Sequence, residues 1–207
     1  MTDITLKIRE IATRLLQSGQ VDIFMGWEKG PQEYFTRPFF ARRVEDVEKL
    51  VFNEYSIHNL SNDLLKFRDG EEKIGIVVKG CDSRGIVRLL QDGQIKRERL
   101  YIVGVACPGM KDPLQAVKDN SGFFPTAADS GLAKKCGDCI EPNPIIYDEL
   151  IGEKQVPRAG EERFKLVKDI ENMSVDQRYQ FFEDIFSRCI RCYACRQVCV
   201  ACNCRTC

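Results

Sequence analysis

Seven of the chain's eleven cysteines fall within the nineteen residues CIRCYACRQVCVACNCRTC, positions 189 to 207. Cys189, Cys192 and Cys195 are separated by two residues each, and Cys199 follows after three more. Two-residue loops let three thiolates wrap one small inorganic cube, with a fourth thiolate arriving from elsewhere. The remaining set, Cys199, Cys202, Cys204 and Cys207, has two, one and two residues between its members. Zinc is the competing chemistry. It needs only two close cysteine pairs, which exist here, whereas three evenly spaced cysteines plus a fourth are more than zinc requires.

The first four cysteines of this run resemble the bacterial ferredoxin motif for a 4Fe-4S cluster. Val200 stands where two-cluster ferredoxins carry proline after the fourth cysteine. The first half of the motif is therefore regular and the second irregular.

The other four cysteines, Cys81, Cys107, Cys136 and Cys139, are scattered, and each alone could be an ordinary buried core thiol. The elements that must position them give a further reading. KIGIVVKG, residues 73 to 80, is an apolar β-branched run of the buried-strand type. CDSRGIVRLLQDG follows as a helix, with Asp82 or Ser83 as its N-cap. The next strand, LYIVGVA, begins at Leu100. Strand, helix and strand within roughly thirty residues predict a βαβ unit with parallel strands, whose ligands sit at the carboxyl ends. Cys81 follows the first strand and Cys107 the second, so both thiols are expected at one sheet edge. Cys136 and Cys139 form a close pair in KKCGDC, after DNSGFFPTAADSGLA, residues 119 to 133, which reads as a long loop. Four thiolates suffice for one cube; on spacing alone, a second cluster and buried structural thiols both stand.

Elsewhere, Ile4, Ile8, Ile11, Leu15 and Leu16 recur at helical spacing over residues 4 to 17. VDIFMGW and EYFTRPFF read as strands around the turn signal EKGPQ. Residues 43 to 53 and 59 to 67 are predicted helical. A linker, EKQVPRAGEE, precedes helices at about 162 to 171 and 174 to 188, the second of which leads into the cysteine run.

The chain has 207 residues and is 43% hydrophobic, enough for one main core and a small appended module. Lysine plus arginine and aspartate plus glutamate balance at 31 each, so no global field recruits nucleic acid or an anionic membrane. No run approaches membrane length, and a cytoplasmic location is expected. In reducing cytosol an odd cysteine total favours metal or redox chemistry over disulfides. The single histidine, His58, excludes multi-histidine metal sites and is read as a surface or core residue, and Trp27 as a packing residue. Glu141, Asp148 and Glu153 stand near the upstream cysteines without an assigned acid or base role. Gly80 to Gly85 offers amides at a helix start where a phosphate could dock, with Arg84 as its partner or as a solvated side chain; simple capping is the alternative.

Gly80 and Cys81 ending one strand, Cys107 ending the next, and KKCGDCIEPNPIIYDELIGE resemble the beta subunits of coenzyme F420-dependent hydrogenases and dehydrogenases over roughly residues 70 to 155. The resemblance implies that Cys81, Cys107, Cys136 and Cys139 ligate a 4Fe-4S cluster, that a flavin such as FAD binds close to it, and that other subunits of a redox complex are the partners. Lys79-Gly80 stands before Cys81 where family members commonly carry proline, and the tail resembles variants of heterodisulfide-reductase-type complexes.

The expectation is an α/β protein. A parallel-strand βαβ iron-sulfur domain spans 1 to 160. A helical linker and small C-terminal ferredoxin-like module spans 161 to 207, with Cys189, Cys192, Cys195, Cys199, Cys202, Cys204 and Cys207 as metal ligands. Its function would be electron relay, as against a zinc-stabilised interaction module or a self-contained flavin-dependent reductase of a deazaflavin.

Overall fold

A computed structural model describes residues 2–120, 131–157 and 164–205. Most of the 119 to 133 loop and part of the 153 to 162 linker lie outside the described residues, as does Cys207.

The first helix, α1 (Thr2–Gln17), buries Ile8, Ile11 and Leu15, the stripe its periodicity predicts. Burying each such side chain contributes about 1.5–3 kcal/mol. Polar contacts fix its angle: the Thr5 hydroxyl donates to the Phe52 carbonyl and accepts from the Phe52 N–H, both at 3.0 Å. Arg9 adds a bond to the Leu50 carbonyl at 2.9 Å.

Strands β1 (Ile23–Lys29) and β2 (Thr36–Ala41) form an antiparallel pair, and the two-residue β3 (Leu50–Val51) also pairs with β1. Here a prediction is corrected: residues 43 to 53 are not one helix but a 3-10 turn, Val44–Lys49, leading into β3. The segment predicted helical at 59 to 67 is a 3-10 helix, Leu60–Phe67, begun by the Asn59 side chain accepting from the Ser61 N–H.

Strand β4 (Ile74–Val78) is buried along its whole length, the pattern of a strand covered on both faces. It pairs in parallel with β1 on one side and β5 (Leu100–Val105) on the other, and β5 pairs in parallel with β6 (Glu149–Ile151). The order is β2-β1-β4-β5-β6, a mixed sheet whose central pairings are parallel. Between β4 and β5 runs α2 (Gly80–Gln91), with Ile86 and Leu89 turned into the core. The α/β architecture and its βαβ unit are thus present.

The start of α2 corrects the capping assignment. The helix begins at Gly80, and Asp82 lies inside its first turn with its carboxylate reaching back to the Lys79 N–H at 2.8 Å. The same residue type serves the same orphan donors from a different position.

Beyond β5 come α3 (Pro113–Asn120) and the single turn α4 (Lys134–Gly137), then α5 (Lys165–Glu171) and α6 (Val175–Ser187). Ser174 caps α6 in a reciprocal box with Gln177. A last short helix, α7 (Ala194–Val198), lies within the cysteine-rich C-terminal region. Among the described residues no helix is long and apolar enough to cross a membrane.

Candidate functional site

Parallel pairing of β4 with β5 puts their carboxyl ends side by side, which brings Cys81 and Cys107 to one edge of the sheet. The segment after α4 then folds against that edge. The Cys107 N–H donates to the Pro142 carbonyl at 3.0 Å. Gly80 approaches the same segment so closely that a Cβ would stand 2.0 Å from the Glu141 carbonyl oxygen. The Ser83 hydroxyl joins the two sides, donating to the Gly80 carbonyl at 2.8 Å and accepting from the Ile145 N–H at 3.1 Å. Cys136 and Cys139 are carried in by this loop. As a result Cys81, Cys107, Cys136 and Cys139 all line one compact cavity of about 130 Å³, together with Lys79, Lys135 and Glu141.

Two of the four thiols are raised by loss of solvation. Loss of solvation pushes the Cys81 thiol up to about 11, with the neighbouring Asp82 charge adding to the rise and Lys79 and Lys135 opposing it. Cys81 keeps some accessible surface, but the packing around its sulfur is dense enough to desolvate it. Burial also raises Cys107, partly offset by a backbone hydrogen bond from Gly109 and by Lys79.

Beneath the cavity lies a buried ion pair. Lys79 Nζ is 2.9 Å from Asp82 Oδ2, with side-chain exposures of 2% and 0%. The ammonium also donates to the His58 carbonyl at 3.1 Å and sits 3.9 Å from the centre of the Trp27 ring. Trp27 shares that carbonyl through its indole N–H at 3.2 Å and meets Phe52 edge-on. Nothing in the sequence pattern marked Lys79 beyond its place two residues before Cys81.

The His58 side chain bonds Asp63 at 2.9 Å. Burial raises the Asp63 carboxyl, but hydrogen bonds from His58 and Lys66 outweigh this and hold it below its usual range. Arg84 pairs with Glu141 at 3.3 Å, and Gly80 is packed on the 141 to 143 backbone. Asp148 accepts from Arg97 and from the Ile102 N–H.

The tail folds back onto the domain. The Asn203 side chain, buried, donates to Asp92 Oδ2 at 2.6 Å, and the Asn203 backbone carbonyl accepts from Arg68 at 3.3 Å. Arg205 bonds Asp69, and Asn62 bonds the Gln197 carbonyl. Between tail and domain opens a cleft of about 960 Å³, with Tyr34 and Tyr55, Lys66 and Arg68, and Cys81, Cys202 and Cys204 on its walls. Cys81 thus borders both the compact cavity and the cleft.

Cys189, Cys192 and Cys195 are exposed. Arg191 and Tyr193, one in each two-residue loop between them, have φ of 57° and 58°. That left-handed conformation is strained for non-glycine residues. A backbone hydrogen bond from Ala201, followed by one from the Cys202 side chain, lowers the Cys199 thiol.

Among the described residues, no three His, Cys, Asp or Glu side chains converge closely enough to hold a metal ion as they stand. The donor set nevertheless suits an iron-sulfur group: four thiols from three chain segments around one compact cavity, with the fixed Lys79 ammonium beside it.

No family model matches the chain. It is similar to the F420-dependent formate dehydrogenase 1 subunit beta of Methanococcus maripaludis, at 24% identity over 273 aligned positions covering 93% of this chain and 70% of that protein. The F420-dependent formate dehydrogenase subunit beta of Methanocaldococcus jannaschii is 27% identical over 114 positions, covering 53% of this chain and 29% of that protein. Among solved structures, a chain of the xenon-derivatised F420-reducing NiFe hydrogenase complex from Methanosarcina barkeri aligns with a TM-score of 0.47 at 18% identity, covering 54% of this chain and 41% of that one. The resemblance to beta subunits of this kind is therefore met again in alignments that cover part of each relative.

Proposed function

We propose that this chain is an iron-sulfur electron-transfer subunit of an oxidoreductase complex, of the hydrogenase, formate dehydrogenase or heterodisulfide-reductase type. The observation that carries the reading is that Cys81, Cys107, Cys136 and Cys139, drawn from two strand ends and a later loop, line one compact cavity. These four would hold one 4Fe-4S cluster. The tail cysteines, Cys189, Cys192, Cys195 and Cys199 with Cys202, Cys204 and Cys207, would hold at least one more. A cluster supplies one-electron transfer.

The similarity to named formate dehydrogenase beta subunits supports membership of such a complex. So does α6, whose Val175, Tyr179, Phe182 and Phe186 form an exposed apolar stripe at helical spacing. The backbone strain at Arg191 and Tyr193 supports a tail shaped for a ligand, since local packing is too thin to explain it.

The division at 160/161 into an α/β domain and a ferredoxin-like module, and a cytoplasmic setting, belong to the same reading. A flavin such as FAD finds its support in the tyrosine-lined, basic cleft beside Cys81. Gly80 and Arg84 do not line that cleft and would contribute only through the 141 to 143 segment they contact.

The test is iron and acid-labile sulfide per chain after anaerobic purification. About eight irons with matching sulfide is the expected result for two cubes. Zinc without sulfide would overturn the proposal in favour of a structural module.

A further inference from the structure

We propose that the buried Lys79 and Asp82 pair is an electrostatic tuning element for the four-cysteine cavity, with Lys79 setting how readily a cluster held there accepts an electron. This rests on the upstream cluster of the preceding section.

Lys79 lines the cavity alongside the four cysteines. Its ammonium is fixed by three contacts, to Asp82, the His58 carbonyl and the Trp27 ring, so its charge cannot swing away into solvent. Asp82 is fixed equally firmly, accepting from the Lys79 N–H and from the Leu60 N–H at 2.9 Å.

A buried pair of this kind is weak evidence of a stabilising role. Desolvating two charges offsets most of their attraction, and apolar replacements of similar volume serve as well or better. Capping α2 needs the Asp82 carboxylate but not a lysine ammonium. What the ammonium does provide is a permanent positive charge in a dry wall.

One-electron reduction of a thiolate-ligated cluster adds one negative charge. A fixed cation in low dielectric stabilises the reduced form more than the oxidised one, and a fixed anion does the opposite. Lys135 and Glu141 also face the cavity but are more accessible and better screened.

The experiment uses the anaerobic full-length chain carrying Cys192→Ala, so that the upstream cluster gives the remaining signal. Dithionite supplies the electrons through mediators, and the midpoint is read by electron paramagnetic resonance. Lys79→Gln is expected to move the midpoint to more negative potential and Asp82→Asn to more positive potential. If only one variant folds, the sign of its shift decides. Unchanged midpoints, or shifts in the same direction, overturn the proposal. So does loss of iron or of the fold in both variants, which would make the pair a structural strut. Absence of iron in the Cys192→Ala parent would instead sink the upstream cluster itself, a separate failure.

Discussion

The backbone N–H of Cys107 donates to the carbonyl of Pro142 at 3.0 Å, stitching the end of β5 to the loop that follows Cys136 and Cys139. Gly80, at the end of the neighbouring strand, presses on the same loop with no room for a Cβ. The four cysteines share a cavity because these backbones touch.

Gly80→Ala is therefore expected to push that loop away from the sheet. The strained packing should cost about 1–3 kcal/mol. The anaerobically purified variant should melt earlier and carry about four fewer irons than the parent. A melting temperature and iron content equal to the parent's would show that the loop is not held by this contact.

Cys192→Ala removes the middle thiolate of the regular tail motif. Iron and sulfide should each fall by about four per chain, leaving about four of each with the upstream cysteines. Unchanged iron in this variant would contradict the tail assignment.

Asn203→Ala deletes the side chain that ties the tail to Asp92. A hydrogen bond to a charged group contributes about 1.5–3 kcal/mol, so amides of residues 199 to 205 should exchange with deuterium at least about tenfold faster. Exchange in β4 and β5 should stay as it was. Equal rates in the tail would mean that docking does not depend on this bond.

Phe182→Ser with Phe186→Ser alters the exposed stripe of α6. Because both rings are already in water, the chain's unfolding free energy from urea titration should change by no more than about 0.5 kcal/mol per residue. A loss of several kcal/mol would reveal that the stripe is covered by the chain itself.

The sheet was legible in the sequence where physics acts locally. The apolar β-branched runs of β4 and β5 left no other reading, and their parallel pairing put Cys81 and Cys107 on one edge as foreseen. The misread elements are those decided by a single turn of geometry. Asp82 carries the chemistry of a cap but performs it from the third helical position, and residues 44 to 49 close as a 3-10 turn before β3. Helix α3 went unread because it falls in a stretch rich in turn-forming residues. Lys79 was invisible for a different reason. A lysine at a strand end ordinarily reaches water, and its burial depends on Trp27 from β1 and His58 from a distant loop closing over it. The Asn203 anchor is likewise a tertiary fact, set by Asp92 and Arg68.

The contacts that dock the tail span 111 to 136 positions of sequence. Closing such long loops is entropically costly until the sheet exists to receive them, so these contacts are expected to form late in folding. The edge bearing Cys81 is thus completed while the cleft above it is still open on one side. The chain's own timetable gives whatever loads that edge an unobstructed approach before the tail arrives to narrow it.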